Sequence, residues 1–302
     1  MRRAMLVGWL ALLAQPAVAQ VTYEGSLAGL TGYYLFTERT NSLILTNGLR
    51  WRSGRLSLGA NLPVWYQNTT LVSSSGGGTI PTGGPEGQGA VRDSGKANGQ
   101  PGGGGRPAVL GDPSTVSSAG LQSARGNIPA PVDAVTGYQL MLGDPLAQAT
   151  VSVIPAGRVT VSATATVKVP LASTATIGTG KWDFGGLASA LWLTGNRWTL
   201  ALDVSYWYLG DLDSLNLENP LIGTLSVGRL LGYEWAASLG VSASTGSLTG
   251  FDPPLSVLAS LTRLGAPNSW GVNAGVGLTE TAPAFSLGAV WWIRLSEPAP
   301  PR

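Results

Sequence analysis

The stretch Val159-Thr160-Val161-Ser162-Ala163-Thr164-Ala165-Thr166-Val167-Lys168-Val169 alternates an apolar residue with a hydroxyl-bearing or charged one along its whole length. Successive side chains of an extended chain point to opposite faces, so a period of two predicts a β-strand with one apolar and one polar face. Trp198 to Tyr208 repeats the pattern, with Leu200, Leu202, Val204, Tyr206 and Tyr208 opposing Thr199, Ala201, Asp203, Ser205 and Trp207. Trp270 to Thr279 and Phe285 to Leu295 alternate in the same way. A soluble sandwich and a membrane barrel both show this period, and the polar face separates them. Facing bulk water it would carry Lys and Glu; here it is Ser, Thr, Ala, Gly and Asn, as suits a confined lumen.

Composition points the same way. Charged residues make up 11% of the 302-residue chain, against roughly 25% in ordinary soluble domains. Too few charges remain to cover a water-facing surface. Beyond the N-terminus no run approaches the roughly 20 apolar residues of a spanning helix, which leaves strands to cross the bilayer. About twelve strands are predicted, as an even-numbered antiparallel barrel requires, near residues 22–36, 42–51, 55–67, 145–154, 158–170, 181–193, 197–210, 221–231, 233–245, 255–264, 269–280 and 284–295. Alternate connections are tight, as at Arg52-Ser53-Gly54, Thr194-Gly195-Asn196 and Gly232, and most of the others are longer. Short turns at one rim and long loops at the other are the outer-membrane arrangement.

Tryptophans supply a separate check. Trp51, Trp192, Trp198, Trp235 and Trp270 flank short turns, and Trp291 and Trp292 precede the chain end expected at that rim. A second aromatic band, Tyr33, Tyr34, Phe36, Trp65, Tyr66, Trp182, Phe184, Tyr206 and Tyr208, falls toward the long-loop ends. Amphipathic rings collect at both membrane interfaces. The fold expected is therefore an all-β transmembrane antiparallel β-barrel with a long Gly/Ser-rich extracellular loop.

Arg2 and Arg3, the apolar run Met5 to Ala14 and the small-residue site Ala17-Val18-Ala19 read as a signal peptide over residues 1–19. The barrel domain is then 20–302, in the outer membrane of a Gram-negative type envelope. Without that segment the chain carries 16 basic and 16 acidic residues, too balanced for a nucleic-acid partner. The expected partners are the lipid bilayer and a small-molecule solute. Residues 67–137 contain no aromatic, and Ser73 to Arg106 has thirteen glycines. Such a segment is expected to bury little and to form one long flexible loop, inserted in the barrel domain, outside the membrane or folded into its mouth. The run Gly102 to Gly105 lacks the Lys-Ser/Thr ending and the strand-to-helix context of a phosphate loop.

The motifs Lys168-Val169-Pro170, Gly178-Thr179-Gly180-Lys181-Trp182-Asp183-Phe184, Trp198-Thr199-Leu200 and Tyr206-Trp207-Tyr208-Leu209-Gly210-Asp211 occur in that order, with Gly143-Asp144-Pro145 before them and Gly277-Leu278-Thr279 after. Over about residues 140–295 the chain resembles the outer-membrane family called putative MetA-pathway of phenol degradation. The resemblance implies a barrel that passes aromatic or other hydrophobic small molecules, and it carries over no catalytic or binding residues. The ending Gly288, Trp291, Ile293, Leu295 resembles an assembly signal but is followed by Ser296 to Arg302.

The chain contains no His and no Cys. That removes imidazole bases, thiol nucleophiles and their metal sites, so no enzyme activity and no cofactor is expected. Strand parity turns Glu24, Arg50, Lys168, Asp183, Asp203, Glu234 and Arg294 toward the lumen. They are read either as a polar constriction that selects solutes or as partners neutralising one another in a filled interior. Lys168, Asp183 and Asp203 are the candidates for setting lumen polarity. Trp65, Trp207 and Trp292, also inward, either stack against an aromatic solute or plug the passage. The functional expectation is a passive channel for small, mostly uncharged or aromatic molecules; the alternative is a non-conducting structural or adhesive barrel.

Overall fold

The computed structural model describes residues 19–83, 136–155, 157–211, 217–248, 250–265 and 267–296. Ala19 apart, the expected signal segment lies outside them, as do residues 84–135 of the long loop. The strands are β1 (Gln20–Gly32), β2 (Thr40–Ser53), β3 (Leu56–Thr69), β4 (Val72–Ser75), β5 (Gly78–Pro81), β6 (Thr136–Leu142), β7 (Leu146–Ile154), β8 (Val159–Lys168), β9 (Asp183–Leu193), β10 (Trp198–Tyr208), β11 (Leu221–Leu231), β12 (Trp235–Ser244), β13 (Leu255–Arg263), β14 (Asn268–Gly277) and β15 (Phe285–Arg294).

Thirteen of them form one antiparallel sheet that closes on itself, with β1 between β15 and β2 and with β3 bonded to β2, β6 and β7. β6 and β7 share one position in the wall. β3 pairs with β6 through Val64↔Leu142 to Thr69↔Thr136 and with β7 through Asn61↔Leu146 to Leu56↔Val151. The ring therefore has twelve staves, as expected, one of them broken at Gly143-Asp144-Pro145. The cause is local: Pro145 has no N–H to give the ladder, and Pro63 faces the break from β3, its carbonyl accepting from Gly143 N at 2.9 Å. β8 ends at Lys168, opposite Leu146, so β6 has a strand neighbour on the β3 side alone among the described residues.

Outside, the wall is apolar. Leu200, Leu202, Val204, Leu225, Val227, Leu239, Val241, Val272, Val276 and Leu287 are all more than a third exposed to the surroundings, which water would penalise and a hydrocarbon layer does not. Both aromatic bands are present. Trp51, Trp192, Trp198 and Trp270 are exposed near the short-turn rim, where Trp235 and Trp270 meet edge-on at 5.4 Å and Arg229 lies over Trp198. Near the other rim Tyr66 stacks on Tyr138, and Trp182, Phe184, Tyr206 and Tyr208 are exposed. Gly54 and Gly232 turn the chain at positive φ, 57° and 69°, in the tight connections.

Three members of the expected upper band are elsewhere. β1 stops at Gly32 rather than running to residue 36, and the chain doubles back through Tyr34 and Leu35 at φ 48° and 77°. Side chains rarely tolerate that region, and each such residue costs about 1 kcal/mol or more. Packing compensates: Tyr34 and Phe36 are buried inside the mouth, and Trp65 is buried on the lumen side.

Candidate functional site

The lumen has three levels. At the long-loop mouth Tyr34, Leu35, Phe36, Leu71, Val72, Ile80, Leu209, Leu217 and Leu248 form one buried cluster, with Trp207 and Phe251 against it. The hairpin β4–β5 is the centre of this plug. Its strands join through Ser73↔Ile80, the Ser73 and Thr82 hydroxyls meet at 2.7 Å, and Ser74 N donates to Ile177 O across to the β8–β9 loop. Below it Ser42 Oγ donates to Gln67 Oε1 at 2.6 Å, and the Thr40 and Thr69 hydroxyls meet at 3.0 Å, so these four polar side chains are paired, while the buried Thr70 hydroxyl meets no partner among the described residues. The expectation that the segment from Gln67 buries almost nothing is corrected over residues 67–83: Gln67, Thr69, Thr70, Leu71, Val72 and Ile80 are all buried. Glycine supplies the reason. Gly76 and Gly185 leave the space in which the Trp207 ring lies flat between hairpin and wall, and a Cβ on Gly185 would stand 2.7 Å from that ring.

Lys168 and Asp183 do not line a passage. Lys168 Nζ lies 2.9 Å from Asp144 Oδ2, donates to Thr179 Oγ1 at 2.7 Å and is 3.3 Å from Asp183 Oδ2, with all three charged side chains almost wholly enclosed. Backbone N–H groups complete the carboxylates: Ala172 N donates to Asp144 Oδ1 and Gly210 N to Asp183 Oδ1, while Gly76 N shares Asp183 Oδ2 with Lys168. Charges removed from water need this saturation. The network ties the stave break, the end of β8, the β8–β9 loop, the start of β9 and the mouth hairpin at one point. Of the two readings open for these residues, mutual neutralisation in a filled interior describes Lys168 and Asp183. Asp144 and Thr179, their partners, show no lumen parity in sequence because they lie in irregular connections.

Asp203 is different. It stands mid-strand on the inner face of β10 between Ser189 and Thr224, half-buried, and forms no ion pair among the described residues. Along its ladder the neighbours stay small and hydroxyl-bearing, Ser189 on one side and Thr224, Ser242 and Ser256 on the other.

The third level is a chamber of about 350 Å³ inside the short-turn rim, bounded by Thr22, Glu24, Arg50, Arg52, Arg55, Thr150, Ser162, Trp292 and Arg294. Trp292 thus lies at the opposite end of the barrel from Trp207. Trp65 belongs to a separate cluster with Met141, Ala172 and Ile177. The three inward tryptophans do not share a site. Glu234, expected in the lumen, is instead in the β11–β12 turn, 3.2 Å from Arg263 and exposed. Among the described residues no group of three or more carboxylates could hold a metal ion.

No family model matches the chain, and no curated protein matches it. Among solved structures the barrel is similar to the COG4313 outer membrane channel from Pseudomonas putida F1, at 13% identity and a TM-score of 0.57, over 93% of this chain and 97% of that one. At that identity the likeness is one of fold. The KdgM porin (6% identity, TM-score 0.44, 92% and 99% covered) and the CymD monoaromatic hydrocarbon channel (9%, 0.43, 98% and 93%) align over similar lengths, too loosely to support an argument.

Proposed function

We propose that the chain is exported, cleaved before Gln20 and inserted in an outer membrane as a channel for passive diffusion of small, mostly uncharged or aromatic molecules. The observation that carries this reading is the asymmetry of the lumen: a built chamber at the short-turn end, small Ser, Thr, Gly and Ala side chains along the middle, and a plug at the mouth made of loop residues rather than of the wall itself. A passage closed only by loops can open without disturbing the sheet. Twelve staves leave a bore between that of side-chain-filled eight-stranded barrels and that of water-filled sixteen-stranded ones, which suits single small molecules. The family resemblance around Lys168 to Asp211, and the description of the solved barrel of similar fold as an outer membrane channel, agree with it.

The second reading, a non-conducting structural barrel, draws on one observation: the mouth cluster is packed and hydrogen-bonded like a protein core. Planar-bilayer recording of the purified mature protein, together with uptake of an aromatic panel by cells that express it, separates the two. Discrete current steps and faster uptake are expected; an electrically silent barrel that speeds no uptake is the structural one.

A further inference from the structure

The chamber inside the short-turn rim carries four guanidinium groups, Arg50, Arg52, Arg55 and Arg294, against one carboxylate, Glu24. This is unlike the treatment of charge elsewhere in the interior, where Lys168 is enclosed by two carboxylates. Arg50 is engaged by Glu24, Nε to Oε1 at 2.9 Å. Arg52, Arg55 and Arg294 form no ion pair among the described residues, and the buried Nε of Arg294 meets no acceptor there. Among the described residues three positive charges thus stand in excess around the chamber, with Arg52 and Arg55 exposed at its rim and Arg294 half-buried. Like charges so collected repel one another, and an anion in the chamber would relieve that repulsion.

Register places the groups. Thr22 on β1 is opposite Arg294 on β15 and Arg50 on β2, so these two positions face one another across two strand spacings, about 10 Å. Gln20, two residues earlier on the same face, is opposite Arg52. Trp292 precedes Arg294 by two residues on β15 and lines the same chamber, adding an aromatic plane beside the guanidinium groups. A planar fork donates two parallel hydrogen bonds to a carboxylate, and an indole face takes an aromatic ring.

We propose that the chamber is a binding site for an aromatic carboxylate of benzoate size, its carboxylate held by Arg294 together with Arg52 or Arg55 and its ring against Trp292. Small oxyanions such as phosphate would meet the arginines but leave Trp292 unused, and neutral aromatics would meet Trp292 but leave the charge uncompensated. Passage of such an anion through the barrel rests on the channel reading above; binding does not.

Titration calorimetry on the purified mature barrel in micelles tests this with sodium benzoate, benzyl alcohol and inorganic phosphate as probes. Benzoate is expected to bind at least tenfold more tightly than either of the others, and Arg294→Gln to weaken it about tenfold, the usual loss of a charge-assisted fork. Arg229→Gln, on the outer face over Trp198, should bind as the parent does. Heat-modified gel mobility checks that each variant is folded, and if Arg294→Gln is not, the double variant Arg52→Gln with Arg55→Gln at the exposed rim replaces it. Equal binding of benzoate and benzyl alcohol, equal binding of benzoate and phosphate, or benzoate binding unchanged in the folded chamber-arginine variant would overturn the proposal. A barrel that is silent in bilayers yet binds benzoate ends the channel reading and leaves the site; one that conducts but ignores benzoate ends the site and leaves the channel.

Discussion

Lys168 Nζ and Asp144 Oδ2 are 2.9 Å apart, one at the last residue of β8 and the other in the break between β6 and β7, with neither side chain more than 1% exposed. The pair holds a strand end against a strand gap. Removing the ammonium leaves Asp144 and Asp183 enclosed without a counter-charge, and breaking a buried pair in this way costs about 3–5 kcal/mol. Lys168→Met should therefore lower the midpoint of heat-induced mobility change markedly. A double substitution, Lys168→Met with Asp144→Asn, should recover part of the loss, because fewer charges are stranded.

Asp203→Asn should behave in the opposite way. With no ion-pair partner among the described residues and a half-open position on β10, its carboxylate contributes field rather than structure. Thermal stability is expected to stay within about 0.5 kcal/mol of the parent, as for substitutions that disturb no packing. In a salt gradient the reversal potential should shift away from cations, and an unchanged potential with lowered stability would identify Asp203 as a structural group.

Alkaline pH should loosen the mouth. Burial pushes the Tyr34 phenol up to about 12, against a smaller opposing pull from Thr79, whereas in an unfolded chain it ionises near 10. Between those values the folded state holds the proton that the unfolded state has released, so stability falls as pH rises through the window, by about 2 kcal/mol at its top. Below pH 10 the group contributes no pH dependence. Tryptophan emission followed from pH 9 to 12 should report the loosening through Trp207, and Tyr34→Phe should flatten that transition.

The two parts of the long segment should differ on deletion. Replacing residues 84–135 with a short Gly-Ser linker is expected to leave folding and insertion intact, since composition gives that part almost nothing to bury. Extending the deletion back to Thr70 removes Leu71, Val72 and Ile80 from the mouth cluster. That variant should insert but conduct more, with its mouth open to protease added from the loop side. Failure of the shorter deletion to insert would assign residues 84–135 a structural part.

Strand identity was legible because it depends on local geometry. A period of two is imposed by the extended backbone, and each face must match what it meets, so Val159 to Lys168 and Trp198 to Tyr208 could be placed in sequence within a residue or two of β8 and β10. The number of staves followed from the same counting, and the inward side of Asp203 and Trp292 from parity. The stave formed by β6 and β7 was read only as residues 145–154, since the pattern lapses across Gly143-Asp144-Pro145 and resumes too briefly before it. What fills the lumen was not legible. The hairpin β4–β5 lies in a Gly- and Ser-rich run with no long alternation, and it is buried only because the barrel supplies walls around it. Lys168 showed its inward direction in sequence but not its partner, because Asp144 and Asp183 reach it from 24 and 15 residues away through an irregular break and a strand end. Parity says which way a side chain points; the closure of the sheet decides which distant groups it meets there. The same closure brings Arg52 and Arg55 at one turn beside Arg294 at the last strand, a charge excess that a count of 18 basic against 16 acidic residues conceals.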